Sequence, residues 1–300
     1  MFGHHLHSAG REPIADRISA AVATVAADYD FKQSAAQVFF TGPRGAKPVL
    51  KPADEPALKT YLTETGLVLL VHGAYIDVYW SERADVARRA VANIRRELAM
   101  CARVGARGLV VHLPQDTVSR ATTGLSAIFA APMRGAILYL ENPGNGHPSK
   151  GDDPRGFETP AKLARLLTAV RAELSPEAYE HIGLCVDTAH LWSSGVDLRS
   201  RGAARAWLRE FEEVRAAAKL PPSRLMFHFN DSRTPLDSGN DQHAPFGEGQ
   251  IWGSDAGEDL EGYTEFVAYA VQHEIPAVFE RSPKYTLDAD YLALIGALGH

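Results

Sequence analysis

His72, His112, Glu141, Asp187, His190, His228, Asp241, His243 and Glu280 are the residues of this sequence whose types and placement can do chemistry. Six of them close short apolar runs. His72 ends Leu-Leu-Val-His, His112 ends Leu-Val-Val-His, Glu141 ends Leu-Tyr-Leu-Glu, Asp187 ends Leu-Cys-Val-Asp, His228 ends Leu-Met-Phe-His and Glu280 ends Ala-Val-Phe-Glu. Imidazole and carboxylate are ligands of choice for zinc and similar divalent metals. After His228 comes a long polar loop with Asp231, Asp237, Asp241, His243 and Glu248. Asp241 and His243 are two residues apart, so an extended segment points both the same way. Each position alone has an ordinary reading, since a histidine after an apolar strand is usually structural and a strand-end glutamate is usually solvated. Six successive strand ends of this kind are not explained that way. If they converge, burying their three carboxylates without cations costs several kcal/mol per charge. The chemistry points to a polynuclear zinc or manganese site.

The elements that must position these residues alternate along the chain. Strands are expected at 3–7, 37–40, 68–72, 108–112, 136–141, 183–187, 225–229 and 277–280, with amphipathic helices at 13–27, 55–63, 83–104, 117–131, 160–174, 200–219, 260–273 and 287–298. Ser81 before Glu82 and Thr159 before Pro160 read as helix starts. Gly105 and Gly299 stand where a left-handed cap would end a helix. Eight strands alternating with eight helices is the (β/α)8 count, and residues 1–300 read as one such TIM-barrel domain, with the metal site at the C-terminal ends of the strands. A doubly wound open sheet is the alternative, but no Gly-x-Gly-x-x-Gly follows the first strand. The longest loops, 142–158 and 230–259, both leave strand ends on the face where barrels carry function. The first strand places His5 and His7 on one side and His4 on the other, so one of them can line the pocket. His147, His181, His273 and His300 read as surface or structural.

Composition narrows the class. A hydrophobic content of 45% and a charged content of 23% are ordinary for a soluble globular protein. No apolar run approaches the ~18–20 residues of a membrane span. The N-terminal Met-Phe-Gly-His-His-Leu-His lacks a basic region and apolar core, so secretion is not expected. Cys101 and Cys185 lie far apart in apolar surroundings and read as buried free thiols in a reducing, intracellular compartment. A net charge of −6 argues against holding nucleic acid by bulk electrostatics, though not against local basic patches or bound cations.

Several of these motifs resemble the endonuclease IV family of apurinic/apyrimidinic (AP) endonucleases, trinuclear-zinc enzymes on a (β/α)8 barrel. Val-Asp-Thr-Ala-His-Leu-Trp-Ser-Ser-Gly-Val-Asp-Leu, from Val186, is similar to the family's Asp-Thr-Cys-His motif with its trailing Gly-x-Asp-Leu. His-Phe-Asn-Asp-Ser, then Asp-Gln-His and Gly-Glu-Gly, from His228, resembles its His-x-Asn-Asp-Ser…Asp-Arg-His…Gly-Glu-Gly signature. Leu-Glu-Asn-Pro-Gly-Asn-Gly resembles Glu-Asn-Thr-x-Gly-x-Gly, one residue shorter, and His-Gly-Ala-Tyr resembles His-Ala-Pro-Tyr. The similarity runs from about Gly3 to Glu280. It implies one zinc on His72, His112 and Glu141, a second on Glu141, Asp187, His228 and Glu280, and a third on His190, Asp241 and His243, with manganese an alternative at one site. Such a cluster binds a phosphate, lowers the pKa of a water and stabilises a departing oxygen.

Glu280 and Glu141 are then the catalytic carboxylates, with Glu280 orienting or deprotonating the water. The implied partner is double-stranded DNA with an abasic site, cut on its 5′ side to leave a 3′-hydroxyl and a 5′-deoxyribose phosphate. Tyr75 matches the family's inserted tyrosine, Arg44 lies close to its inserted arginine, and His5 joins them as a DNA-facing candidate. The resemblance also implies a monomer without an obligate protein partner and no membrane association. Departures fall on the DNA-facing loops. Two family arginines are Gly239 and Gln242 here, the proline of His-Ala-Pro-Tyr is Ala74, and the N-terminal Ala-His-x-Ser reads His-His-Leu-His. They bear on DNA affinity more than on metal. Alternatives are a metal-dependent sugar isomerase or epimerase on the same barrel, a metal-stabilised DNA-binding scaffold, and a phosphatase of small phosphates.

Overall fold

The apolar runs are short, rich in β-branched residues and buried on both faces, as parallel strands covered by helices must be. In the computed structural model, which describes residues 1–6, 12–114, 118–131, 135–144, 157–253, 260–282 and 284–299 (45–47 by backbone alone), they form a closed barrel. In chain order the elements begin β1 (Phe2–Leu6), α1 (Ile14–Tyr29), β2 (Ala35–Phe39), β3 (Thr41–Gly42), β4 (Gly45–Pro48), α2 (Glu55–Thr65), β5 (Val68–His72), α3 (Ala84–Val104), β6 (Gly108–His112) and α4 (Val118–Ile128). They continue with β7 (Ile137–Glu141), α5 (Pro160–Glu173), α6 (Pro176–Tyr179), β8 (Ile182–Asp187), α7 (Thr188–Ser193), α8 (Arg201–Ala217), β9 (Leu225–His228), β10 (Asp231–Ser232), β11 (His243–Ala244), α9 (Glu261–Gln272), β12 (Ala277–Phe279) and α10 (Asp288–Leu298). The barrel order is β1-β12-β9-β8-β7-β6-β5-β2, with every neighbour parallel, which sets the open doubly wound sheet aside.

The expected strands and helices are present, with ends displaced by a few residues. Thr159 caps α5 as expected, its hydroxyl accepting from Lys162 N, and Gly105 ends α3 at φ 81°. Two expectations are corrected. Arg83, not Ser81, stands at the start of α3, and Ser81 Oγ accepts from Arg83 N in the preceding turn. Gly299 keeps a right-handed φ of −84°, so α10 ends without a left-handed cap. His7, Thr117, His147 and His300 lie outside the described residues. Both cysteines are free and buried, and among the described residues no helix is long and apolar enough to cross a membrane.

The interior is layered by the two-residue period of the strands. Ala35, Leu70, Val110, Tyr139, Cys185, Met226 and Val278 pack together inside the barrel, one from each of seven strands. Gly3 completes this layer, where a Cβ would lie 1.7 Å from Ala35 O. Two residues further along the same strands stand His5, Gln37, His72, His112, Glu141, Asp187, His228 and Glu280. The apolar layer is therefore the floor of a polar mouth. Gly108 shows how closely the wall is fitted, since a Cβ there would sit 2.1 Å from Ile137 O and 2.8 Å from Tyr139 Cε2. Gly108→Ala should part β6 from β7 and cost about 3 kcal/mol of stability, read from the urea midpoint. A midpoint unchanged from the parent protein would show that the wall yields.

Candidate metal centre

Parallel register brings the strand-end ligands side by side. His112 pairs with Glu141 and Asp187 with His228, while Glu280 follows the last paired residues of β12. The result is a chain of contacts across the mouth. Glu141 Oε2 lies 3.1 Å from His112 Nε2 and 3.6 Å from His72 Nε2. Its other oxygen lies 2.8 Å from His228 Nδ1, which is also 3.2 Å from Glu280 Oε2 and 3.7 Å from Asp187 Oδ2. On the far side Asp241 reaches His190 Nε2 at 3.2 Å and His243 Nε2 at 3.0 Å. His243 Nε2 is 3.7 Å from Asp187 Oδ2. Among the described residues, three groups made of His, Asp and Glu alone have metal-ligand spacing: His72, His112 and Glu141; then Glu141, Asp187, His228 and Glu280; then Asp187, His190 and His243, against which Asp241 packs. Glu141 and Asp187 are each shared by two groups.

Local structure holds these side chains in place. The Asp187 side chain accepts from His190 N at 3.0 Å and so starts α7, which turns His190 back over the mouth. His190 Nδ1 lies 2.7 Å from Asn142 O, leaving Nε2 for Asp241. Gly144 must be glycine because a Cβ would lie 2.1 Å from His190 Cδ2. His243 stands on β11, paired with β10, so the loop that carries Asp241 is tied to the barrel. Asp231 is not a ligand candidate. Its buried carboxylate accepts backbone N–H groups from Ser232, Gly249 and Ile251, and a Cβ on Gly249 would strike it at 2.3 Å. The Asp-Ser and Gly-Glu-Gly parts of the motif are thus architecture. Asp237 and Glu248 are exposed.

The donor set fits divalent metal. Glu141 and Asp187 are fully buried, and such charges demand close partners. Glu141 Oε2 and His243 Nε2 are buried without a hydrogen bond among the described residues, as expected of atoms whose lone pairs face a cation. With protein charges alone, the imidazoles must supply the positive charge. Burial works against it, but Glu280 and Glu141 push His228 up to about 9, and Asp241 does the same for His243. Burial would raise Glu141, yet His228 and His112 hold it well below the usual carboxylate range. Cys185 also lies near Glu141 and His228, but burial and the carboxylates push its thiol well up, so it stays a neutral part of the floor.

Some members of the site carry no obvious mark in the sequence. Gln37 is wholly buried and joins three candidates: its Nε2 donates to Glu280 Oε1 at 2.8 Å and lies 2.8 Å from His5 Nδ1, and its Oε1 is 2.9 Å from His228 Nε2. Counting two residues on from the floor position Ala35 would have found it. Asn230 Nδ2 donates to Asp187 Oδ2 at 2.6 Å, and its Oδ1 accepts from Glu280 N and Arg281 Nη1. Arg281 is itself anchored on buried Asp290. Asn142 Oδ1 accepts from Asp187 N at 2.8 Å.

The three residues expected to face DNA divide. His5 points inward, 3.5 Å from Glu280, while His4 turns outward to Tyr291. Tyr75 is 55% exposed at the rim, its ring 5.2 Å from that of His72 and 5.7 Å from that of His112. Ile76 beside it is equally open, and Arg44 is exposed on the β3–β4 turn. A cavity of about 320 Å³ lies beside the mouth, lined by His72, Tyr75, Asp77, Trp80, His112 and Arg120 among others.

A family model described as xylose isomerase-like TIM barrel matches residues 24–263. The probable AP endonuclease of African swine fever virus is 37% identical over 253 residues, 84% of this chain and 80% of that protein. The probable endonuclease 4 of Halothermothrix orenii is 26% identical over 264 residues, 84% of this chain and 86% of its own length. The crystal structure of AsfvAP:AG superposes with a TM-score of 0.85 at 33% identity, over 100% of this chain and 97% of that one.

Metal and protons compete for the same imidazoles. Zinc added to the chelator-stripped protein near neutral pH should therefore release protons, read in weakly buffered solution. His228 and His243 are raised from 6.5 to about 9. The stripped native state holds more protons than the unfolded chain across that window, so its melting temperature should fall as pH rises through it. A melting temperature flat across the window would mean that these imidazoles are not charged partners of the carboxylates.

Proposed function

The chain belongs to the endonuclease IV family of AP endonucleases, on a xylose isomerase-like TIM barrel, and from this premise we propose that it hydrolyses the DNA phosphodiester 5′ to an abasic site, leaving a 3′-hydroxyl and a 5′-deoxyribose phosphate. The observation that carries the reading is the third ligand group. His190, His243 and Asp241 gather beside Asp187, beyond the two groups around Glu141. His72, His112 and Glu141 would hold one zinc, Glu141, Asp187, His228 and Glu280 a second, and His190, Asp241 and His243 a third. Bound there, the ions would lower the pKa of an attacking water and offset the charge that builds on the phosphate.

The chain's own residues supply orientation. Burial would raise Glu280, but His228, His5 and His72 together outweigh it and keep its carboxylate ionised. Gln37 and Asn230 donate to its two oxygens, at 2.8 Å and 3.4 Å, and so fix its plane. An ionised carboxylate held this way accepts a hydrogen bond from water and aims it. Tyr75 and Arg44 stand at the rim, where a duplex would lie against the mouth. A nucleotide without its base has little stacking to lose, so opening the helix there is cheap. An inserted aromatic offsets part of what is lost.

The test is a duplex carrying one tetrahydrofuran analogue, which cannot undergo β-elimination. The expected result is one cut on the 5′ side, with Glu280→Gln slowing it by roughly a hundredfold to ten-thousandfold. Turnover of free ketoses, with the duplex left intact, would overturn the reading in favour of an isomerase. Asp241→Asn should lower the bound zinc, measured by mass spectrometry of the metal, by about one ion per chain and leave the other two groups filled.

A further inference from the structure

Buried acid groups outside the metal centre occur where helix α3 meets two loops of the mouth. The inner face of α3 is apolar at Ala90, Ile94, Leu98, Cys101 and Val104, yet it also buries Asn93 and Glu97. These two are four residues apart and so share a face. Thr41 Oγ1, at the base of the β3–β4 hairpin, donates to Glu97 Oε1 at 2.7 Å, with both residues fully buried. Asn93 Nδ2 donates at 2.5 Å to Asp77 Oδ2, in the loop after β5, and Arg96 donates to Asn93 Oδ1. The hairpin carries Arg44 and the loop carries Tyr75. A backbone bond joins them, Tyr75 N donating to Pro43 O at 3.0 Å.

We propose that Glu97 and Asp77 are positioning residues for DNA, pinning the Arg44 hairpin and the Tyr75 loop to one rigid helix so that both meet the duplex in a fixed relation. The role of those two loops rests on the function proposed above. A purely structural contact would be better served by apolar side chains, because each carboxyl opposes the fold when ionised. Burial and the nearby charge of Asp77, opposed by Thr41, Arg96 and His72, push Glu97 up to about 7. Burial, opposed by Asn93 and Arg96, pushes Asp77 up to about 6. The native state then binds more protons than the unfolded chain between the ordinary carboxylate range and those values, so ionisation lowers stability as pH rises through the window. Glu97 Oε2 has no hydrogen bond among the described residues. A polar anchor kept under that load serves to fix the loops in one place.

The test uses Glu97→Leu, Glu97→Gln, Thr41→Val and the Thr41→Val/Glu97→Leu double variant as metal-loaded full-length protein. Removing either partner strands the other, so KM for the tetrahydrofuran duplex should rise about tenfold with kcat within twofold and bound zinc unchanged. The double variant should be no worse than either single one, since both remove the same contact. Glu97→Gln keeps an acceptor for Thr41 and should restore KM, while losing the fall in melting temperature between weakly acidic and weakly alkaline pH. Backbone amides 42, 44–47 and 74–78 should exchange faster in Glu97→Leu and Thr41→Val and return to the parent rate in Glu97→Gln. Unchanged exchange, a loss confined to kcat, or no rescue by glutamine would overturn the proposal. If the parent protein leaves the duplex uncut, the proposed function fails, and the exchange rates still decide whether Glu97 fixes the loops.

Discussion

Carboxylates held out of water set the terms for this molecule. Glu141 and Asp187 are wholly buried at the centre of the barrel mouth, where an uncompensated charge costs several kcal/mol. Everything around them answers that demand. Six histidines stand within 4 Å of them or of their acidic neighbours Asp241 and Glu280. Gln37, Asn142 and Asn230, which cannot titrate, add hydrogen bonds to Glu280, His228 and Asp187. Because Glu141 and Asp187 each serve two groups, the ligand groups are not independent pockets. A change of charge in one is felt by the next across a single carboxylate.

The barrel makes this arrangement from sequence-distant residues by a simple rule. Eight strands run the same way, and each places one side chain in the floor and another two residues later in the mouth. The floor is apolar and tightly fitted, with the Tyr139 ring packed against glycines at 108 and 183. The mouth above can therefore be polar without admitting water from below. Loops then add what the strands cannot. The single turn of α7 brings His190 back over Asp187, and the short β10–β11 ladder fixes His243 above it.

This rule explains how much the sequence disclosed. Strand-end His, Asp and Glu residues were legible because each breaks an apolar run, and parallel strands put those breaks on one face. Gln37 obeys the same rule but does not end its run, since Val38 and Phe39 follow it inside the strand. Asn230 and Asn142 follow ligands in ordinary loop-like contexts, and their role depends on which strand ends come together. The hairpin at Thr41–Pro48 and the helix α7 are shorter than any periodic pattern needs in order to show. Ser81 misleads because a serine caps a turn as readily as a helix. Asp231 misleads in the opposite sense: an acid in a metal-like motif whose oxygens are taken by backbone N–H groups.

Closure of the barrel has a kinetic consequence. His5 lies on β1 and Glu280 just past the end of β12, and these two strands, the most distant in sequence, pair only when the barrel closes. Bringing such distant segments together is entropically slow, and contacts of this range form late in folding when local ones can form first. A chain that has laid down β5 to β9 already holds His72, His112, Glu141, Asp187 and His228 side by side. It lacks the carboxylate of Glu280 and the glutamine–histidine pair that aims it. Full assembly of the centre is thereby tied to the final, long-range step of folding, so a half-built barrel can gather ligands without yet having a working mouth.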